Sequence, residues 1–215
     1  MNRVAYRLLA AVLIVAGLAA LSWVGADFLQ TDAYRRSVEA TLARLGQLPP
    51  TEATSAAPSS LATGAPVGSL EIVRVGLSGV VVEGDEDAVL DRAIGHLPDT
   101  PLPWQTGNSA LAAHRDALFR PLRDVRLGDI LRLKTPYGTF DYRVRETLIV
   151  KPTDVWVIDP TPTATLTLIS CFPFDYIGHA PERFIVRADR IARQYRTGYS
   201  ESQRSERSTA RRHPA

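Results

Sequence analysis

The sequence of 215 residues contains a single cysteine, Cys171. One cysteine excludes an internal disulfide, and it excludes the zinc sites that are built from paired cysteines. The chain also lacks an HExxH pattern and a glycine-rich phosphate loop, so no motif points to a zinc protease or a nucleotide-binding enzyme. A thiol that is kept alone is either buried and inert or retained for chemistry.

The chain carries little net charge, +2 at pH 7. This value excludes a global field of the kind that attracts nucleic acid, and we expect no nucleic-acid partner. The average hides an arginine-rich segment at 191–215 that has few apolar residues. We interpret this segment as a basic, disordered tail. The alternative is a structural membrane protein whose tail binds anionic lipid or nucleic acid.

The longest uncharged stretch lies near the N-terminus, from Leu8 to Ala26. It is long enough to cross the hydrocarbon core as a helix, and Trp23 suits an interfacial position. Arginines in 1–7 precede it, so the positive-inside rule predicts a cytoplasmic N-terminus and an extracytoplasmic domain. We therefore predict a single-pass membrane anchor; the alternative is a cleaved signal peptide.

The rest of the chain divides by composition into a linker and a folded domain. We predict a stalk and a Pro/Ser/Ala-rich linker at 27–68, followed by a folded domain at 69–190. Short β-branched runs in this domain, "DVWVID" among them, predict strands, and "YG" between "LRLKTP" and "TFDYRV" predicts a hairpin. The acidic start of "DEDAVLDRAIGHL" predicts one helix. The pattern is typical of a mostly antiparallel β-barrel or sandwich.

Three residue types that thiol acyl transfer needs occur at the ends of predicted strands. Cys171 ends "ATLTLISC", His114 ends "SALAAH" and Arg183 opens "RFIVRA". A thiolate attacks a carbonyl, an imidazole protonates the leaving amine, and a guanidinium stabilises the oxyanion. Many β domains contain a Cys, a His and an Arg, so an inert Cys171 remains an open alternative at this point.

The sequence segments around these three residues resemble motifs of the sortase family. "TLISC" at 167–171 resembles the TLxTC signature, with Ser170 in place of threonine. "NSALAAHRDALFRPL" resembles the histidine segment NxxxAGHRDxxFxxL, with Ala113 in place of glycine. "PERFIVRA" resembles the final strand with its essential arginine. The resemblance covers roughly 69–189 and is greatest to class D or E sortases, including Gram-negative versions.

The resemblance implies a mostly β fold, a closed eight-stranded sortase barrel with one or two short helices after the N-terminal transmembrane helix. It implies a cysteine transpeptidase that cleaves an LPxTG-like motif, with a thioacyl intermediate on Cys171. His114 is then the general acid and base, and Arg183 binds the substrate or the oxyanion. No cofactor or catalytic metal is implied. The implied partners are exported proteins with a C-terminal sorting signal and an amine of the cell wall or of another protein, at the bacterial plasma membrane.

Other residues are secondary candidates. We assign Ser170, His179 and Arg187 provisionally to substrate binding, because they adjoin the predicted catalytic groups; Arg187 shares a strand face with Arg183. His96 and His179 compete with His114 as general acid, and we interpret His96 as a loop residue.

Two departures from the family motifs bear on activity. Serine at Ser170 keeps the hydroxyl of the usual threonine. Alanine at Ala113 costs about 1 kcal/mol if its φ is positive. Such a cost would favour a catalytically weak or silent peptide-binding module. A second alternative is another exported Cys/His enzyme, such as an L,D-transpeptidase, although its SHGC-like motif is absent.

Overall fold

The computed structural model describes residues 12–19, 21–22, 36, 40, 43, 57–176 and 178–191. No helix within these ranges combines the length and the apolar character needed to cross a membrane. About half of the predicted span at 8–26 is described, at 12–19 and 21–22, whereas most of the predicted stalk and linker at 27–68 and nearly all of the basic tail lie outside the described residues.

Eight strands close into a barrel in the order β1-β2-β3-β4-β7-β8-β6-β5. Their bounds are Pro66–Ile72 (β1), Leu77–Glu83 (β2), Ile94–His96 (β3), Asn108–Ala112 (β4), Ile130–Thr135 (β5), Gly138–Val150 (β6), Thr165–Phe172 (β7) and Glu182–Arg190 (β8). The pairs β2–β3 and β4–β7 are parallel, and the other pairs are antiparallel. The predicted closed eight-stranded barrel is therefore confirmed.

Buried and outward-facing side chains alternate along the strands, as the sequence pattern predicts. In β5 the buried residues are Leu131 and Leu133, while Arg132 and Lys134 point to solvent. In β7 the buried core residues Leu166 and Leu168 alternate with residues that face outward from the barrel. This two-residue period places one face of each strand in the core. The predicted β5–β6 hairpin is also confirmed, with Thr135 paired to Gly138.

The predicted single helix in "DEDAVLDRAIGHL" is wrong. Only Asp87–Leu90 is α-helical, and the end of the segment forms β3, which pairs with β2 and β4. A Cβ atom on Gly95 would collide with the carbonyl oxygen of Gly84, so the two backbones approach more closely than another residue would allow. Tertiary pairing overrides the local helical pattern here.

The predicted strand in "DVWVID" is also wrong. Val155–Ile158 is a 3₁₀ helix in the β6–β7 segment, and Val155 is 66% exposed. A closed barrel has no free edge, so an additional extended segment finds no backbone partner. The segment packs on the outer face of the barrel instead.

The end of the predicted linker lies against the barrel. The carbonyl of Pro58 accepts a hydrogen bond of 2.9 Å from the Trp104 indole, and Leu61 packs on the core. Strand β1 begins at Pro66. Trp104 itself packs on the core.

Candidate active site

Strand register brings Cys171 beside Arg183. The two residues are direct partners in the antiparallel β7–β8 pair. Leu168 and Val186 belong to the core, so alternation along each strand directs Cys171 and Arg183 to the outer face of the barrel. Cys171 is partly exposed. The only thiol of the chain is therefore not sealed inside the core.

The register of β4 on β7 brings His114 to the same end of the barrel. Ala112 pairs with Ile169 in the parallel β4–β7 ladder, and the backbone N–H of Ala113 donates to the Ile169 carbonyl at 3.4 Å. His114 lies two residues after Ala112, and Cys171 lies two residues after Ile169. The Ser170 hydroxyl donates to the Ala113 carbonyl at 3.2 Å, which joins the segments that carry the imidazole and the thiol.

The three predicted catalytic residues line one cavity of about 340 Å³. Its lining comprises Asp87, His114, Arg115, Asp116, Cys171, Gly178, His179, Ala180 and Arg183. These residues come from the β2–β3 connection, from the segment after β4, and from β7, β8 and the loop between them. Residues far apart in the sequence thus form one polar site around the thiol.

His114 has an acidic partner that the sequence did not reveal. Its Nε2 lies 3.2 Å from Oδ1 of Asp91, which directly follows the short helix Asp87–Leu90. The His114 side chain is 38% exposed and that of Asp91 is 67% exposed, so solvent screens this pair. Asp116 lines the cavity as well. The acidic start of the predicted helix supplies Asp87 to the same cavity.

Arg183 is held at the edge of the cavity by backbone carbonyls. Its Nη1 donates to Glu182 O at 3.0 Å and to Ala180 O at 3.3 Å. These bonds hold the guanidinium against the β7–β8 loop, and Arg183 lines the same cavity as Cys171, its partner in the ladder. A cation in this position can stabilise negative charge that develops on a substrate carbonyl.

Of the three residues assigned provisionally to substrate binding, only one lines the cavity. His179 lies in the β7–β8 loop and lines the cavity. Ser170 is only 2% exposed, so its hydroxyl faces the protein behind the cysteine. Arg187 pairs with Thr167 in the ladder, several residues from the cavity, and its Nη1 lies 3.5 Å from Glu146. The structure thus brings His179 to the thiol, but not Arg187.

Ala113 does not carry the conformational strain that a positive φ would cause. Its φ is not positive, and its side chain packs in the main core cluster at 5% exposure. The methyl group in place of the family glycine therefore adds apolar contact beside His114 without backbone strain. This finding removes the only support for a silent module.

The interpretation of His96 as a loop residue is wrong. His96 ends β3 and is 1% exposed, with Nδ1 2.8 Å from Glu83 Oε2 and Nε2 3.1 Å from the Pro101 carbonyl. Burial raises the pKa of Glu83, and the interaction with His96 opposes this rise. The imidazole is satisfied within the fold and does not reach the cavity.

A second, mostly apolar cavity of about 330 Å³ adjoins the first, and Arg183 lines both. Its apolar lining includes Leu90, Leu97, Ala112, Val150, Val155, Val157, Ile158, Ile169 and Ile185. Ala112 and Ile169 form its floor on the outer face of β4 and β7, and the β6–β7 segment forms a side. The groove can accept an extended apolar peptide that leads towards Cys171. Among the residues that the structure describes, no cluster of His, Cys, Asp and Glu is arranged to hold a metal ion.

The barrel and the Cys-His-Arg cavity on its outer face have the arrangement of a cysteine acyltransferase. A sequence model of the Sortase domain matches residues 70–191. The chain therefore belongs to the sortase family of cysteine transpeptidases, and its similarities are class D-like.

Individual relatives agree with this assignment. The chain is 36% identical over 130 residues to sortase D of Bacillus subtilis, covering 60% of this chain and 66% of the relative. It is 34% identical over 109 residues to sortase A of Listeria monocytogenes, covering 49% of each. The matches thus span just under two thirds and about half of these relatives. A Clostridium perfringens sortase D5 transpeptidase superposes with a TM-score of 0.66 at 23% identity, covering 74% of this chain and 99% of that one.

Proposed function

We propose that this protein is a membrane-anchored sortase that cleaves an LPxTG-like sorting motif and transfers the substrate to an amine at the cell surface. The observation that carries the proposal is the register that sets Cys171, Arg183 and His114 around one cavity. The uncharged run at 8–26 supports the anchor and the extracytoplasmic location. Exported proteins with a sorting signal are the proposed donors.

The first half-reaction forms a thioester. The Cys171 thiolate attacks the carbonyl carbon of the motif's threonine, and the oxygen becomes an anion beside Arg183. The carbon–nitrogen bond then breaks, and His114 as an imidazolium gives its proton to the leaving amine. The apolar groove on Ala112 and Ile169 holds the motif during this step.

The second half-reaction reverses the proton transfer. An amine of the cell wall or of another protein attacks the thioester carbon, and neutral His114 accepts its proton. The carbon–sulfur bond breaks and Cys171 leaves as the thiolate. Because this step needs an open approach to the thioester, the polar cavity of about 340 Å³ is the proposed entrance for the amine.

Intact mass spectrometry of the protein with LPxTG-, LPxTA- and LAxTG-type peptides tests this proposal. We expect a thioacyl adduct that is absent in Cys171→Ala and, with hydroxylamine, a hydroxamate of the peptide cut after threonine. A methanethiosulfonate reagent tests access to the thiol independently. If Cys171 reacts with this reagent only after unfolding, the catalytic assignment is wrong. Ready labelling without any peptide adduct would instead refute the proposed motif.

A further inference from the structure

The residue after His114 reaches across the active-site cavity to the opposite loop. Nη2 of Arg115 donates to the carbonyl oxygens of Tyr176 at 2.6 Å and of Gly178 at 2.9 Å. Its guanidinium carbon also lies 5.9 Å from the centre of the Tyr176 ring. Arg115 therefore connects the segment that carries His114 with the β7–β8 loop, which follows Cys171.

The β7–β8 loop (173–181) depends on side chains for its position. Outside strand pairing, the one backbone–backbone hydrogen bond described for it runs from Tyr176 N to the Pro173 carbonyl at 3.3 Å. Its first half is packed by Phe174, whose ring lies 5.3 Å from that of Phe184. Its second half contributes Gly178, His179 and Ala180 to the cavity. Hydrogen bonds from side chains to the Gly178 and Ala180 carbonyls are the described attachments of this half.

Two arginines donate to backbone carbonyls of this loop: Arg115 makes two hydrogen bonds, at 2.6 and 2.9 Å, whereas Arg183 makes one, to Ala180 O at 3.3 Å. Arg115 is therefore the shorter and doubly bonded attachment of the two. Hydrogen bonds from a charged donor are roughly twice as strong as neutral ones. Arg120 and Arg123 also approach the loop, but each lies 3.9 Å from the carboxylate of Asp175, and all three side chains are about half exposed or more. Exposed pairs at such distances contribute little.

We propose that Arg115 is a positioning residue that holds the second half of the β7–β8 loop in its substrate-competent conformation. The functional part of this inference rests on the proposed transpeptidase activity. Without Arg115 the loop occupies that conformation for only part of the time, and the apparent affinity for the peptide falls by the same fraction. The effect appears in KM more than in kcat, because substrate-bound molecules have the loop in place. The carbonyl of Ala180, which accepts from Arg183, lies in the same half of the loop.

Substitutions at Arg115 in the full-length protein test the inference. Arg115→Met keeps an unbranched apolar stem like that of arginine but removes every donor, and we expect KM for the peptide to rise on the order of tenfold with kcat within about twofold. Amide hydrogen exchange at residues 175–180 should accelerate, while the melting temperature changes little. Arg115→Lys keeps a charged donor and should restore most of the affinity. Arg120→Gln and Arg123→Gln are matched controls that remove an arginine beside the same loop, and both should behave like the wild type.

Each readout can overturn the inference separately. Unchanged exchange at 175–180 in Arg115→Met would refute the loop attachment, whether or not the protein transfers peptides. Faster exchange with a lower kcat and an unchanged KM would refute the positioning role and assign Arg115 to the chemistry. A wild type that is inactive towards all peptides would refute the proposed function, and hydrogen exchange would still decide the attachment.

Discussion

Truncation of Asn108 should weaken both the fold and the peptide groove. The Asn108 side chain is fully buried, and its Nδ2 donates to the carbonyls of Val157 at 3.0 Å and Asp159 at 3.1 Å. Its Oδ1 accepts a hydrogen bond of 2.7 Å from the Thr167 hydroxyl. One amide thus fastens the β6–β7 segment, which forms a side of the apolar groove, to the outer face of the barrel.

The expected magnitude follows from the bonds that are lost. Asn108→Ala leaves two carbonyls and one buried hydroxyl without their partner, and each such loss costs about 1 kcal/mol, so we expect about 3 kcal/mol. Thr167→Val is the matched control, since it removes only the hydrogen bond to Oδ1 and should cost about 1 kcal/mol. A looser β6–β7 segment should also raise KM for the sorting peptide several-fold, with a smaller effect on kcat.

Urea unfolding followed by tryptophan fluorescence measures the free energies, and peptide cleavage measures KM. A loss below about 1 kcal/mol in Asn108→Ala, or a loss equal to that of Thr167→Val, would refute the reasoning. A full loss of stability with an unchanged KM would show that the β6–β7 segment does not shape the groove.

Three further predictions concern pH and close packing. Burial raises the pKa of Tyr142 from 10.0 to about 12, against the effect of Arg190. The contribution of Tyr142 to folding stability should therefore be constant below pH 10 and fall by up to roughly 3 kcal/mol towards pH 12. Urea unfolding followed against pH should show this loss in the wild type and not in Tyr142→Phe. The hydrogen bond from Arg74 lowers the pKa of Asp129, so the pair stabilises the fold above the ordinary carboxyl pKa. The stability difference between wild type and Arg74→Met should shrink in acid as Asp129 protonates, and only the part due to the bond from Arg74 to the Asp124 carbonyl should remain. A difference that is the same at neutral and acid pH would contradict this account. Gly95→Ala should destabilise by about 1–3 kcal/mol in thermal unfolding, because the new Cβ meets the carbonyl of Gly84; an unchanged melting temperature would contradict this packing.

The site combines two cavities of different character around Arg183. Under the proposed function, the apolar groove holds the extended sorting motif and the polar cavity admits the departing and incoming amines. Arg183 lines both cavities, so its guanidinium can stabilise an oxyanion that forms between them. The closed barrel supplies rigid strands for the proposed catalytic groups, while the β6–β7 and β7–β8 connections supply the parts that can adapt to a substrate.

The sequence by itself determined the strands whose alternation is regular. The two-residue period of β5 and β6 and the glycine at their turn were sufficient for the hairpin. The resemblance of three short motifs selected Cys171, His114 and Arg183. Alternation along β7 also implies that Ser170 and Cys171, as neighbours on a strand, face opposite sides.

Only the tertiary structure decided how distant segments meet. Asp91 and Arg115 find partners in segments distant in the sequence, His114 and the β7–β8 loop, and no local pattern encodes these contacts. Residues 94–96 became a strand because β2 and β4 offered backbone partners, whereas Val155–Ile158 found no free edge in a closed barrel. Periodicity reports the environment along a single segment. Hydrogen bonding across the barrel depends on which segments lie beside one another, and this is settled when all eight strands pair.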